Sequence, residues 1–391
     1  MGDCEKKVVI VLPHFKGGGV ERVISLISKY APKHVNLAFV LFEPEIKYLL
    51  RGRLYVIGKY NSIFKLLRKL IDLYRILLSE KPDAILGCEK GRNLVILSFG
   101  FRRFIRMESY PGIYLRTSWA RFIHAVKMIL YRKVTKMITV SHKMKETFVN
   151  KYHIPSGKIV TIYNPCDISQ IKSLSEERIE PELSELFKKP VIVNVGRIVR
   201  QKGQWHLIRA FSLINREFPD SRLVIVGDGP LRAYLEKLII KLDLQNKALI
   251  LGFKSNPFKY MKKGFIFALP SLVEGFPNVI VEALACGLPI MAADCLSGPR
   301  EILNPGTPYR YKELLKPEYG EYGILMPVMD GRFYSADDPL TWQEMTWAHE
   351  IIKCLDNPKL LDRYREKAVK RAEEFDARKQ VKKYFEVLLR T

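Results

Sequence analysis

One repeated pattern constrains this chain more than any other. A short, unbroken apolar run ends in a glycine-bearing turn, and a helical pattern follows. Residues 8–12 read VVIVL and lead through Lys16-Gly17-Gly18-Gly19 into a helical stretch at 23–30. Residues 191–195 lead into Gly196, 222–226 into Gly227, and 248–251 into Gly252. Apolar runs of strand length without alternation belong to strands buried on both faces, which means a parallel sheet. Parallel neighbours need a crossover, and the intervening helices supply it. The chain is therefore predicted to be α/β, built from Rossmann-like, doubly wound sheets. Its 391 residues exceed one core, so two domains are expected. Residues 169–189 are acidic, polar and proline-containing, and read as the linker. That sets the domains at 1–180 and 188–375.

Further strands are predicted at 35–42, 54–57, 84–86, 104–107, 137–140 and 159–162. In open parallel sheets, ligands gather beyond the carboxyl ends of strands. The run at 84–86 ends at Gly87-Cys88-Glu89, and that at 104–107 at Glu108-Ser109-Tyr110-Pro111. Glu89 and Glu108 are therefore expected to point into a crevice. Residues 63–78 form a helix whose apolar positions interleave with Lys65, Arg68, Lys69 and Arg75. It suits a core-packing helix of the sheet layer or an interfacial helix on acidic lipid.

No segment offers about 18 uninterrupted apolar residues, so no transmembrane helix is expected. The N-terminal apolar run reads as a first strand rather than a secretory signal. Lys6 stands where myristoylation wants Ser or Thr. The six cysteines are scattered without a CxxC pair, which argues against a zinc site or a disulfide framework and suits a reducing cytoplasm. The net charge is +24, and it is uneven: residues 1–170 hold 30 Lys and Arg against 12 Asp and Glu. A basic first half suits a polyanion, whether nucleic acid, anionic lipid or a phosphorylated substrate. Simple solubility is the plainer alternative.

The chemistry concentrates at 267–290. An apolar run ends at Pro270-Ser271, a turn follows at Glu274-Gly275-Phe276-Pro277-Asn278, and a helix runs from Val279 to Cys286. Gly275 lets the backbone approach a ligand, and a helix N-terminus offers N–H groups to an anion. Glu274 and Glu282 have seven residues between them, one in the turn and one about a turn into the helix. Carboxylates beside a phosphate pocket make sense if the ligand also carries hydroxyls, which they accept strongly. A diphosphate bearing many hydroxyls is a nucleotide sugar. The same residues also suit an ordinary strand-to-helix turn with two solvated acids. Upstream, Arg197 and Lys202 sit five apart in a loop after a strand, where two fixed cations can hold a diphosphate in place of a metal. No D-x-D motif and no clustered Asp or His set is present, so no metal is expected.

Gly196-Arg197…Lys202-Gly203, Gly227-Asp228-Gly229-Pro230, Gly252-Phe253 and Glu274-Gly275-Phe276-Pro277…Glu282-Ala283 follow in order and with natural spacing. Together they resemble the C-terminal domain of glycosyltransferase family 4, across roughly residues 190–305. Gly17-Gly18-Gly19 resembles that family's N-terminal loop. The resemblance implies the GT-B fold, two Rossmann-like domains facing a cleft, with a final helix near 376–391 packing back on the first domain. It implies a retaining transferase without a protein nucleophile or metal cofactor. Arg197 and Lys202 would bind the donor diphosphate, and Glu274 would accept from donor-sugar hydroxyls. Backbone groups of Gly275, Phe276, Asn278 and Val279 would meet sugar or phosphate oxygens, and Glu282 would hold the ribose. Gly196, Gly227, Gly229, Gly252, Phe253, Asn256, Pro270 and Ser271 would line the same pocket, with Gly17, Gly18 and Gly19 approaching the phosphates. Many relatives place a His or Asp at a first-domain strand end; Glu108 is the first candidate here, Glu89 the second, and His142 is expected to be structural.

The stretch Ser297-Gly298-Pro299-Arg300-Glu301-Ile302 resembles a form common in bacterial enzymes of surface polysaccharide and lipid-linked oligosaccharide synthesis. That implies a UDP-hexose or UDP-N-acetylhexosamine donor and a glycan or polyprenyl-diphosphate-linked acceptor, at the anionic inner face of the cell membrane, with no nucleic acid involved. Two alternatives stay open: the same chemistry on a soluble sugar or sugar phosphate, or a non-catalytic polyanion-binding protein on a degenerate GT-B fold.

Overall fold

The structure is a computed structural model, and it describes residues 5–16, 18–46, 48–58, 65–111, 117–308 and 314–390. The chain divides into two units, Met1–Cys166 with Phe375–Thr391, and Asp167–Glu374. Each is built on a seven-stranded sheet.

In the first unit the strands are β1 (Lys6–Leu12), β2 (Val35–Leu41), β3 (Arg53–Val56), β4 (Ala84–Gly87), β5 (Arg103–Met107), β6 (Lys136–Thr139) and β7 (Ile159–Thr161). Their order is β3-β2-β1-β4-β5-β6-β7, and every pairing is parallel. Val8 lies opposite Leu37 on one side and Ala84 on the other, so the VVIVL run is buried on both edges and both faces. The helices are α1 (Gly19–Lys29), α2 (Lys65–Glu80), α3 (Arg92–Val95), α4 (Ser118–Tyr131) and α5 (His142–Asn150). Of these α4 was not anticipated. Helix α2 packs on the core as one reading of its sequence expects, with Leu73 and Leu77 fully buried, while Leu66, Leu67, Ile71 and Leu78 are exposed.

In the second unit the strands are β8 (Val191–Val195), β9 (Arg222–Val226), β10 (Ala248–Ile250), β11 (Ile266–Leu269), β12 (Ile290–Ala293), β13 (Glu318–Tyr319) and β14 (Ile324–Met326). The order is β10-β9-β8-β11-β12-β14-β13, parallel except for the β13–β14 edge. The helices are α6 (Ile168–Ser175), α7 (Pro181–Ser184), α8 (Gln204–Glu217), α9 (Arg232–Lys241), α10 (Phe258–Lys262), α11 (Asn278–Ala285), α12 (Pro299–Leu303), α13 (Trp342–Asp356) and α14 (Asp362–Ala372). Trp205, Phe211 and Trp347 are fully buried in its core. The chain then returns to the first unit. The final helix, α15 (Ala377–Leu389), places Val381, Tyr384, Phe385 and Leu388 in the first sheet's core.

The expected linker is not a linker. Residues from Asp167 onward belong to the second unit. Asp167 caps α6 by accepting from the Gln170 N–H, and Ile168 and Ile171 are buried. The acids that made this stretch look solvated have basic partners far along the chain: Glu176 pairs with Lys262, and Glu180 with Lys254 and Lys259. The domain boundary therefore lies at 166/167 rather than in 180–188.

Candidate active site

Strand β8 sits between β9 and β11, and the chain winds outward from it in both directions. Such a switch point opens a crevice at the carboxyl ends of the strands. Two loops flank it, residues 196–203 after β8 and 270–277 after β11. They are stapled together: the Leu272 N–H donates to the Gln201 carbonyl at 2.9 Å, and Gln201 Nε2 to the Val273 carbonyl at 2.7 Å. The staple brings Lys202 Nζ to 2.5 Å from Glu274 Oε1. Glu274 is buried and Lys202 half-buried, so each charge depends on the other in a partly dry site. Arg197 is exposed at the head of the first loop and has no side-chain partner among the described residues. One cation is thus held by an acid and one stands open.

The loops around this pair are packed backbone on backbone. At Gly227 the φ is +155° and an added Cβ would lie 1.9 Å from the Gly196 carbonyl; one at Gly229 would lie 2.3 Å from that of Ile198. Both glycines are required by the neighbouring loop. Gly252 closes the same layer by accepting from the Gly227 N–H at 2.9 Å. Phe253 beyond it is 78% exposed. Asn256 is committed elsewhere. Its Nδ2 donates to the Leu174 carbonyl and to Glu177, and its Oδ1 accepts from the Phe258 N–H. It braces α6 against the turn. Ser271 is buried, with an Oγ that has no partner among the described residues, and the carbonyl of Pro270 lies against Gly203. Asn278 and Val279 open α11, whose Pro277 N-cap supplies no side-chain cap, so the positive end of the helix faces the turn. Phe276 is buried, and Glu282 is buried on the second turn of α11.

Two family models match along the chain in succession: Glycosyltransferase Family 4 over residues 17–170, and Glycosyl transferases group 1 over 175–317. An uncharacterized glycosyltransferase of Methanocaldococcus jannaschii is 32% identical over 342 residues, covering 82% of each chain. The N-acetylgalactosamine-N,N'-diacetylbacillosaminyl-diphospho-undecaprenol 4-alpha-N-acetylgalactosaminyltransferase of Campylobacter jejuni is 31% identical over 386 residues, covering 95% of this chain and 96% of its own. The chain belongs to glycosyltransferase family 4. Its fold is GT-B: the crystal structure of Anabaena HepE in complex with UDP and glucose superposes with a TM-score of 0.75 at 20% identity, covering 98% of this chain and 99% of that one.

The glycosyltransferase differs from the sequence expectation in its first unit. Glu108 ends β5 but is not an open carboxylate. Arg92 Nη1 donates to its Oε2, Arg106 Nη1 stands 3.3 Å from Oε1, and the Glu89 N–H donates to Oε1 at 3.2 Å. Arg106 is buried in turn, with Nε donating to the Tyr384 hydroxyl at 2.8 Å and Nη2 to Asn164 Oδ1 at 2.5 Å. Glu108 therefore belongs to a buried clamp that ties β5 to α15, and this corrects its candidacy as the acceptor-side group. Glu89, the second candidate, follows β4. It adopts φ +46°, rare for a residue with a side chain, at the end of β4. Burial, with Glu21 and Glu108 nearby, pushes its carboxyl above the ordinary range. His142 opens α5 and packs edge-on to Tyr163 at 5.8 Å. Gly18 and Gly19 begin α1 in this first unit, with Gly18 as its N-cap; Gly17 lies outside the described residues.

The glycosyltransferase also has a buttress that residue types alone did not mark. Ser297 Oγ donates to the Gly275 carbonyl at 2.7 Å. Gly298 adopts φ +97°, and a Cβ there would lie 2.4 Å from Pro277 Cδ. The two residues hold the 275–277 turn from behind. Arg300, buried and paired with Asp294 and Glu318, fixes the segment that carries them. The available signal was the Ser297-Gly298-Pro299 run itself: a small hydroxyl, a flexible residue and a helix-starting proline.

Proposed function

We propose that this glycosyltransferase moves a hexose or N-acetylhexosamine from a UDP-linked sugar to a lipid-linked or glycan acceptor, with retention at the anomeric carbon and without a metal. The observation that carries the reading is the Lys202–Glu274 pair at the switch point, with Arg197 open beside it. When a nucleotide sugar enters, its diphosphate competes for Lys202, and Glu274 is released to accept from sugar hydroxyls. Arg197 and Lys202 then meet the charge that develops as the C1–O bond to the diphosphate breaks. The acceptor hydroxyl attacks C1 on the face the diphosphate leaves, forming the new C1–O bond. A diphosphate oxygen takes the hydroxyl proton. The protein works by positioning and charge stabilisation.

The acceptor reading draws on the Campylobacter jejuni relative, whose name specifies a diphospho-undecaprenol-linked sugar, and on the basic first half of the chain. Such an acceptor places the enzyme on the cytoplasmic face of the cell membrane. Among the described residues no helix is long and apolar enough to cross a bilayer, so the association proposed is peripheral. A thermal-shift screen of nucleotides and nucleotide sugars, followed by mass spectrometry of products on candidate lipid-linked acceptors, tests the reading. Stabilisation by UDP and a product heavier by one hexose or N-acetylhexosamine is expected. No response to any nucleotide would overturn it.

A further inference from the structure

Three buried side chains beside the crevice of the second unit each carry an oxygen without a hydrogen-bond partner among the described residues: Asn194 Oδ1, Gln204 Oε1 and Ser271 Oγ. Each of the three residues is only 1% exposed. Buried polar groups in native proteins are paired, so three in one neighbourhood call for a common explanation.

The three hang on one closed circuit of contacts. Asn194 Nδ2 donates to the Ala268 carbonyl at 2.8 Å, which ties the end of β8 to β11. Two residues on, the Pro270 carbonyl lies against Gly203, where an added Cβ would come within 2.5 Å of it. Ser271 follows Pro270, and Gln204 follows Gly203 as the first residue of α8. Gln204 Nε2 then donates to the Arg197 carbonyl at 3.0 Å, three residues past Asn194. In both amides the nitrogen is engaged by a carbonyl, so the free atom is the oxygen, which only accepts. Asn194 shares its face of β8 with Ile192, which packs in the core beneath α8. Its oxygen therefore lies on the side of the sheet where α8 begins. That helix has Gly203 as its N-cap, without a side-chain cap, and its first N–H groups have no partner within the helix.

The chemistry of this set selects its ligand. Two amide oxygens repel an anion. A cation would face the positive end of α8, with Arg197 and Lys202 in the adjoining loop. A neutral molecule that both donates and accepts suits all of them. Water donates to Asn194 and Gln204 and accepts from the Ser271 hydroxyl, which gives the three bonds typical of a buried water. We infer that one buried water, shared by Asn194, Gln204 and Ser271, joins the 196–203 loop to the 270–277 loop and so positions Lys202 against Glu274. This rests on the donor-site reading of the crevice and deepens it. Asn194, Gln204 and Ser271 become positioning residues that act through the water on the charge pair.

A high-resolution crystal structure of the full chain tests the site without any nucleotide. Density for one water within hydrogen-bonding distance of all three oxygens is expected. Side chains paired directly with one another would overturn the inference, as would a peak ringed by further oxygens at metal distances. The positioning role is read from two variants of matching shape. Ser271→Val removes the hydroxyl, and Ser271→Thr keeps it. Ser271→Val should raise KM for the donor about three- to tenfold, the scale of losing one hydrogen bond, with a smaller change in kcat. Ser271→Thr should recover most of that loss. Equal KM in the two variants would overturn the positioning role even with the water in place. Ser271→Ala supplies the same comparison if Ser271→Val does not fold. Thermal shift with UDP reads the donor site independently. A UDP response without a shared water sinks the water alone, and a shared water without a response to any nucleotide leaves the water and sinks the transferase reading.

Discussion

The two units carry the same sheet order around their first strand, yet they use the switch point differently. In the second unit the crevice between β8 and β11 holds an exposed Arg197 and, beside it, a Lys202–Glu274 pair in which each charge has the other as its one ionic partner among the described residues. In the first unit the strand ends at β4 and β5 hold charge inside, with Glu108 between Arg92 and a fully buried Arg106. A charge pair at a crevice can be exchanged for a ligand, whereas a pair locked to a C-terminal helix holds the unit together. The same residue types thus do opposite work at equal burial, and the number of partners, with the fully buried Arg106 among them, decides which.

That contrast is broken most directly at Glu108. Glu108→Ala leaves two arginines without their shared acid, one of them buried, and removing one partner of a buried pair costs about 3–5 kcal/mol. Urea denaturation should show that loss. If Glu108→Ala keeps wild-type stability and loses only turnover, Glu108 is catalytic after all and the contrast fails. At the other switch point the outcome should invert. Lys202→Ala or Glu274→Ala should reduce transfer by about 10²–10³-fold, the scale for losing one electrostatic contact to a developing charge. Circular dichroism should show the fold retained, with the melting midpoint lowered by less than in Glu108→Ala, because this pair leaves no fully buried cation behind. A donor turned over at the wild-type rate by either variant would remove the site assignment.

The same contrast explains what was legible beforehand. Strands β8, β9 and β10 announce themselves, because a buried parallel strand is a local pattern and the glycine that follows is a local need. That Lys202 and Glu274 come to one crevice was legible for a related reason: each lies in a short loop whose anchoring strand is obvious. Glu108 was misread because its meaning depends on Arg92 and on Arg106, which reaches Tyr384, 278 residues away. The acids at 176–180 were misread as solvated because their lysines lie beyond residue 250. The structural duties of Gly227 and Asn256 were hidden because a spacing motif records a requirement without saying whether backbone or substrate imposes it. Helix α4 was missed as a helix because its outward face lacks the polar stripe that makes a period visible.

A smaller effect tests how rigid the second crevice must be. Ser297→Ala removes one hydrogen bond to the Gly275 carbonyl, about 1 kcal/mol net. Gly298→Ala forces a side chain into a positive-φ site against Pro277, on the order of 1–3 kcal/mol. If the pair positions the 275–277 turn, both variants should raise KM for the donor more than they lower kcat, and Ser297→Thr should restore part of the loss. An equal fall in stability with unchanged KM would make the buttress merely structural.

The smallest expected effect concerns the ion cluster that binds the reassigned linker to the second unit, away from the crevice. Burial works to raise the Glu180 carboxyl, but the Tyr260 hydroxyl donates to both its oxygens at 2.7 and 2.8 Å, and Lys259 stands 3.1 Å away. These partners win, and the carboxyl falls from 4.5 to about 2. A group depressed on folding contributes stability that is fully present above its unfolded value and is lost as pH falls through the folded one. The cluster should therefore weaken between about pH 4.5 and 2 and be indifferent to pH above that window. Tyr260→Phe keeps the buried ring and removes the donor, so its acid-unfolding curve should be shallower than wild type below pH 4.5, with turnover at neutral pH unchanged. If turnover falls as well, charge pairs outside the crevice also tune it, and the division drawn between exchangeable and structural pairs needs a third kind.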